Sequence, residues 1–168
     1  MNIKDIKKHF PIFEQKINGK SLVYLDSANS SQKPKKVIDS LNKFYSEDFA
    51  NVGRGIYTLA ANASEQYENT RLALKKFINA SDESEIIFTK NSTESLNLVA
   101  SCYGSKFINE GDEIISTELE HHANFVPWHF LRKKKGAIIK FLEIDDKGNL
   151  KIEDLEKLIT KKTKIISL

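Results

Sequence analysis

Ile86-Ile87-Phe88-Thr89-Lys90-Asn91-Ser92-Thr93-Glu94-Ser95 is the stretch from which the fold is read. Its first four residues are β-branched or aromatic, as in a buried strand. Asn91 then offers a helix N-cap, and Glu94 three positions later offers the return bond of a capping box. The stretch predicts a strand, Glu85–Thr89, running into a helix, Ser92–Phe107. The alternation repeats downstream. Strand Glu113–Thr117 leads to helix Ala123–Lys134, strand Ala137–Glu143 to helix Ile152–Thr160, and strand Lys164–Leu168 follows. Strict alternation of this kind predicts an α/β fold, a mostly parallel sheet with helices on both faces. The strands are nearly continuous apolar runs, as expected when both faces are covered.

Upstream, Leu22-Val23-Tyr24-Leu25 reads as a short strand, and Pro34 suits the first position of a helix. Val37, Ile38, Leu41, Phe44 and Tyr45 give that helix an apolar stripe. Asn51-Val52-Gly53-Arg54-Gly55 is a loop. A long helix follows from Leu59 to Asn79, with Ala63, Tyr67, Leu74, Phe77 and Ile78 expected to face inward.

The 168 residues suit one domain with a real core. Apolar content of 40% and charged content of 29% are those of a globular protein, and no apolar run is long enough to span a membrane. The polar start, Met1 to Lys8, has no signal-peptide core, so a cytoplasmic location is expected. The net charge of +3 is mild. Its densest run, Arg132-Lys133-Lys134-Lys135, falls where a helix should end and complements the dipole there; no aromatic residues interleave as a nucleic-acid surface requires. The single cysteine, Cys102, rules out an internal disulfide and is expected as a small buried hydrophobe beside Leu96, Val99, Ala100 and Tyr103.

The chemistry-bearing residues lie where two predicted strands end. Free N–H groups of Ser92 and Thr93, with their hydroxyls, make a phosphate seat at the positive end of a helix. The same geometry also serves as an ordinary cap without a ligand. No Walker A or GxGxxG glycine pattern is present. Glu118-Leu119-Glu120-His121-His122-Ala123-Asn124 puts a flat, titratable ring at the next strand end. Strand ends of an open parallel sheet share one crevice, so an anion seat and an imidazole there suit a phosphorylated aromatic cofactor. A zinc reading of Glu118, Glu120, His121 and His122 lacks the HExxH spacing. Asp26-Ser27-Ala28-Asn29-Ser30-Ser31-Gln32-Lys33-Pro34 makes a small polar turn that also lets backbone approach a ligand.

Taken in order, these segments resemble the front part of a Suf-type cysteine desulfurase, a pyridoxal-phosphate enzyme of the class V aminotransferase superfamily. The resemblance rests on Val23-Tyr24-Leu25-Asp26-Ser27-Ala28, Ser31-Gln32-Lys33-Pro34, Arg54-Gly55-Ile56-Tyr57-Thr58-Leu59, Ser92-Thr93-Glu94, Asn97-Leu98-Val99-Ala100, Gly111-Asp112 and Glu120-His121-His122-Ala123-Asn124 with Val126-Pro127-Trp128. It runs from about Asp5 to Leu168. It implies part of the large domain of a fold type I pyridoxal 5'-phosphate enzyme that moves sulfur from L-cysteine to an enzyme persulfide for iron–sulfur cluster assembly. A homodimer and a sulfur-acceptor protein of the Suf system are implied with it. Selenocysteine lyase, or another class V enzyme, shares the same front motifs.

The resemblance also implies roles. Ser92 and Thr93 would hold the cofactor phosphate. His121 would stack on the pyridine ring and act as an acid–base group. Ala28 would lie by the substrate carboxylate, and Arg54 in a loop reaching toward the partner subunit. Departures are Asn29 for a small apolar residue, Gly53 for a frequent histidine and Asn91 for a common glycine. The family's cofactor-binding lysine, ring-nitrogen aspartate, nucleophilic cysteine and carboxylate-binding arginine match no position here. The last strand, Lys164–Leu168, is of a central, buried type. The reading therefore expects an incomplete domain, the front of a longer protein, and an isolated chain that associates through an unpaired sheet edge. A non-catalytic remnant or interaction module is the alternative of a different class.

Overall fold

The computed structural model describes residues 2–168, which form two compact units meeting at Ile86–Ile87. Each unit is described by itself.

The first unit begins with α1 (Ile3–Lys7) and a two-stranded hairpin, β1 (Lys16–Ile17) and β2 (Lys20–Ser21). Its turn is Asn18-Gly19, with both residues at positive φ (52° and 76°), the geometry that matches the twist of a tight hairpin. The expected strand Leu22–Leu25 does not form. Leu22 N–H still reaches Gln15 O at 3.3 Å, but beyond it the chain runs extended with Val23 and Leu25 exposed. A strand is stable only when a neighbour satisfies its backbone, and no described residue pairs with this one.

Helix α2 (Lys35–Lys43) follows and continues as a π-helical turn, Phe44–Asp48. Pro34 caps α2 rather than opening it, with extended ψ of 148°. Helix α3 (Thr58–Phe77) buries Ala60 and Ala63. Tyr67 and Leu74 sit at its half-exposed margin, and Phe77 and Ile78 face solvent, Phe77 at 85% exposure, contrary to the inward face expected for them. In this helix the small residues make the close contact, while its C-terminal aromatic and aliphatic side chains lack a covering element.

The expected strand Glu85–Thr89 is also absent. Glu83–Glu85 is a 3₁₀ turn with a full capping box between Asp82 and Glu85. Ile86 is buried and its carbonyl accepts from the Arg71 guanidinium. Ile87 and Phe88 are exposed and enter no ladder.

The second unit is a parallel three-stranded sheet in the order β4-β3-β5, formed by β3 (Glu113–Thr117), β4 (Ile138–Leu142) and β5 (Thr163–Ile166). Residue pairs run from Glu113↔Ile138 to Thr117↔Leu142 on one side and from Glu113↔Thr163 to Ile115↔Ile166 on the other. Every residue of β3 is buried. On one face Ile114 packs with Ala100, Ile108, Trp128, Leu131 and Ala137, flanked by Leu96, Ile139 and Ile165. The helical members come from α4 (Ser92–Val99), its π-helical continuation Ala100–Gly104 and α6 (Val126–Lys135); Ile108 directly follows α5 (Ser105–Phe107), and Ala137 precedes β4. Gly104 permits that packing, because a Cβ there would collide with the Leu131 side chain. Helix α7 (Leu155–Leu158) packs on β4.

At the N-terminal end of β3 the buried Glu113 carboxylate meets Lys140 Nζ at 2.8 Å and the hydroxyls of Thr160 and Thr163 at 2.7 and 3.1 Å. The bond from Lys140, followed by that from Thr160, holds its pKa below the ordinary carboxylate value.

Cys102 is exposed, against the buried position expected. The π-helical turn Ala100–Gly104 re-aims the helix, so Ala100 and Gly104 face the core instead. Trp128 is buried, and Arg132 to Lys135 form the last turn of α6 before Gly136 takes the left-handed cap at φ 72°. Among the described residues no helix is long and apolar enough to cross a membrane.

Candidate active site

The candidate site lies at the N-terminus of α4 and in the loop beyond the C-terminal end of β3. Asn91 Oδ1 accepts from Glu94 N–H at 2.9 Å, the N-cap bond read from the sequence. The return bond differs in register: Glu94 Oε2 accepts from Lys90 N–H at 2.6 Å, one residue before the cap. The cap therefore consumes the Glu94 N–H, and Ser95 N–H goes to Asn91 O at 3.1 Å. The N–H groups of Ser92 and Thr93 receive no acceptor from the described residues, and both side chains are exposed. Two free N–H groups and two hydroxyls at the positive end of a helix are a donor set for a dianion.

His121 is not on β3, which ends at Thr117. It caps the 3₁₀ turn His122–Asn124, and its Nδ1 accepts from Ala123 N–H at 3.1 Å. Because Nδ1 is an acceptor, the neutral ring carries its proton on Nε2. The two histidine rings lie 6.3 Å apart and tilted by 55°. The His122–Asn124 turn packs against α4, and Ser92, Thr93 and His121, all in the second unit, are each exposed. Residues 122–135 are not one helix; Phe125 breaks them at φ −120° and ψ −55°.

What holds the turn is a buried polar network absent from the sequence reading. Thr117 Oγ1 lies 3.2 Å from Glu120 Oε1 and accepts from Leu119 N–H at 3.2 Å. Asn124 Nδ2 donates to Glu120 Oε2 at 2.8 Å, while Asn124 Oδ1 accepts from Trp128 Nε1 at 3.0 Å and from Ser167 Oγ at 2.5 Å. A signal for part of it was present. Asn124 and Trp128 are spaced i, i+4, which stacks them on one side of a helical turn.

Ala28 and Arg54 belong to the first unit. Ala28 sits in a turn closed by Asn29 and Ser30 N–H groups on Asp26 O at 3.2 and 3.0 Å, and it is exposed. Arg54 is exposed in a loop pinned by Gly53 N–H on Ser64 Oγ at 2.9 Å.

Residues 23–168 match the family model described as aminotransferase class-V. The chain belongs to the class V aminotransferase family. A relative from Halalkalibacterium halodurans named probable cysteine desulfurase is 47% identical over 168 residues, all of this chain and 41% of the relative. A Staphylococcus aureus protein of the same name is 47% identical over 99% of this chain and 40% of its own. Among solved structures, the apo cysteine desulfurase of Thermococcus onnurineus superposes with a TM-score of 0.87 at 38% identity, covering 99% of this chain and 40% of that one. A cysteine desulfurase of Escherichia coli gives 0.78 at 34% identity with the same coverage. The chain thus spans about two fifths of the length of these relatives. The class V fold, a parallel sheet with helices packed on it, is the one read from the alternating pattern.

Proposed function

We propose that this chain forms the phosphate-and-ring side of the pyridoxal 5'-phosphate site of a cysteine desulfurase. The observation that carries the reading is the pair of unpartnered N–H groups of Ser92 and Thr93 at the start of α4, the helix on which the turn following His121 packs. Their donor set fits the cofactor's phosphate: two N–H groups, two hydroxyls and a helix N-terminus, all open to the surface. When bound, the cofactor supplies an electron sink for breaking bonds at the substrate's α-carbon.

The chain's own residues do the rest. Ser92 and Thr93 would hold the phosphate through hydrogen bonds. His121 would stack on the ring, and Nε2, the nitrogen not engaged by Ala123, is where it would hold or move a proton. By the resemblance, Ala28 would lie by the substrate carboxylate and Arg54 in a loop reaching toward a partner subunit of a homodimer. The relatives' names support L-cysteine as the substrate; passage of its sulfur to an enzyme persulfide and then to an acceptor protein for iron–sulfur clusters is what the resemblance implies. The Suf branch is supported by His121-His122-Ala123-Asn124 with Val126-Pro127-Trp128 and by Arg54-Gly55-Ile56. The residues assigned here include neither a cofactor-binding lysine nor a nucleophilic cysteine, since Cys102 lies in the helix after the phosphate seat. The 168-residue chain by itself is therefore expected to release no sulfide from cysteine.

Titration of the chain with pyridoxal 5'-phosphate and with pyridoxal tests this. The phosphate form should bind measurably tighter. Ser92→Ala and Thr93→Ala should each weaken it by about tenfold or more, since a hydrogen bond to a charged group contributes about 1.5–3 kcal/mol. Equal affinity for the two ligands would end the reading.

A further inference from the structure

Asn124 is not among the residues proposed to touch the cofactor, yet both the oxygen and the nitrogen of its side-chain amide are hydrogen-bonded. It is 8% exposed. Its Oδ1 collects the Trp128 indole N–H from α6 and the Ser167 hydroxyl from the residue after β5. Its Nδ2 donates to Glu120, whose other oxygen is bonded to Thr117 at the end of β3. Its backbone N–H donates to His121 O at 2.8 Å, closing the turn whose Ala123 N–H fixes the His121 ring through Nδ1. One amide therefore joins the end of β3, the end of β5 and the start of α6 to the turn carrying the imidazole.

We infer that Asn124 is a positioning residue, which sets the ring plane and tautomer of His121. The inference rests on the proposed cofactor reading for its functional consequence, but the geometry it concerns belongs to the chain alone. The amide chemistry is specific. Oδ1 needs two donors and Nδ2 needs a carboxylate. Aspartate keeps the shape and the acceptor but sets a second carboxylate against Glu120, where no donor remains between them.

The test uses the 168-residue chain labelled with ¹⁵N. The unmodified chain should show His121 with an unprotonated Nδ1 and a protonated Nε2, together with a protected Ala123 amide. Added pyridoxal 5'-phosphate should then move two groups of signals, the Ser92 and Thr93 amides and the His121 ring. In Asn124→Asp the Ala123 protection should fall at least tenfold and the tautomer preference should be lost. The His121 response to ligand should weaken at least fivefold, while the Ser92 and Thr93 responses stay within about twofold. The double variant Asn124→Asp, Glu120→Gln reverses donor and acceptor across the same bond and should restore both His121 signals. An Asn124→Asp chain that keeps the His121 tautomer and its ligand response overturns the inference. So does one that loses the Ile114 and Ser92 signals as well and is not restored by the double variant, because the role would then be general folding. If the unmodified chain responds to ligand at neither place, the cofactor reading fails, while the ligand-free tautomer comparison still decides the role of Asn124.

Discussion

Ile86-Ile87-Phe88-Thr89 and Ile114-Ile115-Ser116-Thr117 are nearly the same sentence in two places. Both pair two isoleucines with a closing threonine, and both lead toward a site residue. The second is the central strand of a sheet, buried along its whole length. The first is an extended segment that joins no sheet, with Ile87 69% exposed. Composition is therefore not what makes a strand. β3 has β4 in register on one side and β5 on the other, and Ile114 has Trp128 and Leu131 to pack against. In the earlier segment Ile86 is buried with the Arg71 guanidinium on its carbonyl, and the Thr89 hydroxyl bonds forward to Asn91 and Ser95, but no strand flanks it.

The comparison can be broken most sharply by deleting the same side chain in both places. Ile114→Ala should cost about 2–5 kcal/mol in urea unfolding of the chain, because it leaves a cavity in a core that cannot collapse around it. Ile87→Ala should stay within about 0.5 kcal/mol. Similar losses at the two sites would mean that the exposed segment is paired in solution. Next in size, Gly104→Ala should cost about 1–3 kcal/mol by overpacking against Leu131, and Leu131→Val should relieve part of it in the double variant. A full cost with no relief would assign the loss to helix geometry instead. Third, Asn91→Ala should remove about 1 kcal/mol, read as a lowered thermal midpoint, since Asn91 makes the cap bond at the junction after the unpaired segment.

The least effect is a slope. Glu113 has its pKa lowered by Lys140 and Thr160, so its contribution is complete above the unfolded carboxylate value of about 4.3. It is lost as pH falls through the lower folded value. Glu113→Gln should therefore flatten the acid limb of the stability–pH curve below about pH 4, and an unchanged limb would show that other carboxylates govern it. The exposed segment has no counterpart to this ion pair, which sharpens the contrast between the two.

Much of the second unit was legible. The limits of β3 were read to the residue, and the Ser92 helix start and the basic last turn of α6 each follow from a local rule, capping or the helix dipole. What was not legible depends on neighbours. The strands expected at Leu22–Leu25 and Glu85–Thr89 had the right residues and no partner among those described. Cys102 turned outward because the π-helical turn shifted the face, and no residue type announces that turn. The inward face of α3 failed at Phe77 and Ile78 because periodicity shows which residues share a side, not whether anything covers it. At the candidate site the cap and the histidine were readable by type. The buried amide of Asn124 was not, because its partner at Ser167 lies 43 positions away.

The parallel sheet also sets a schedule. Glu113 is bonded to Lys140, but its remaining oxygen waits for Thr160 and Thr163, 47 and 50 residues further along the chain. At a ribosomal pace of about 5–20 residues per second, those hydroxyls are made roughly 2–10 s after Glu113 itself. During that interval β3 can recruit β4 and the α6 face, while its other flank stays open. The segment from Thr160 to Ser167 is the one that seats Asn124 and closes the carboxylate, so the nascent chain can pack the β4 side of its core before it acquires the fastening of its site.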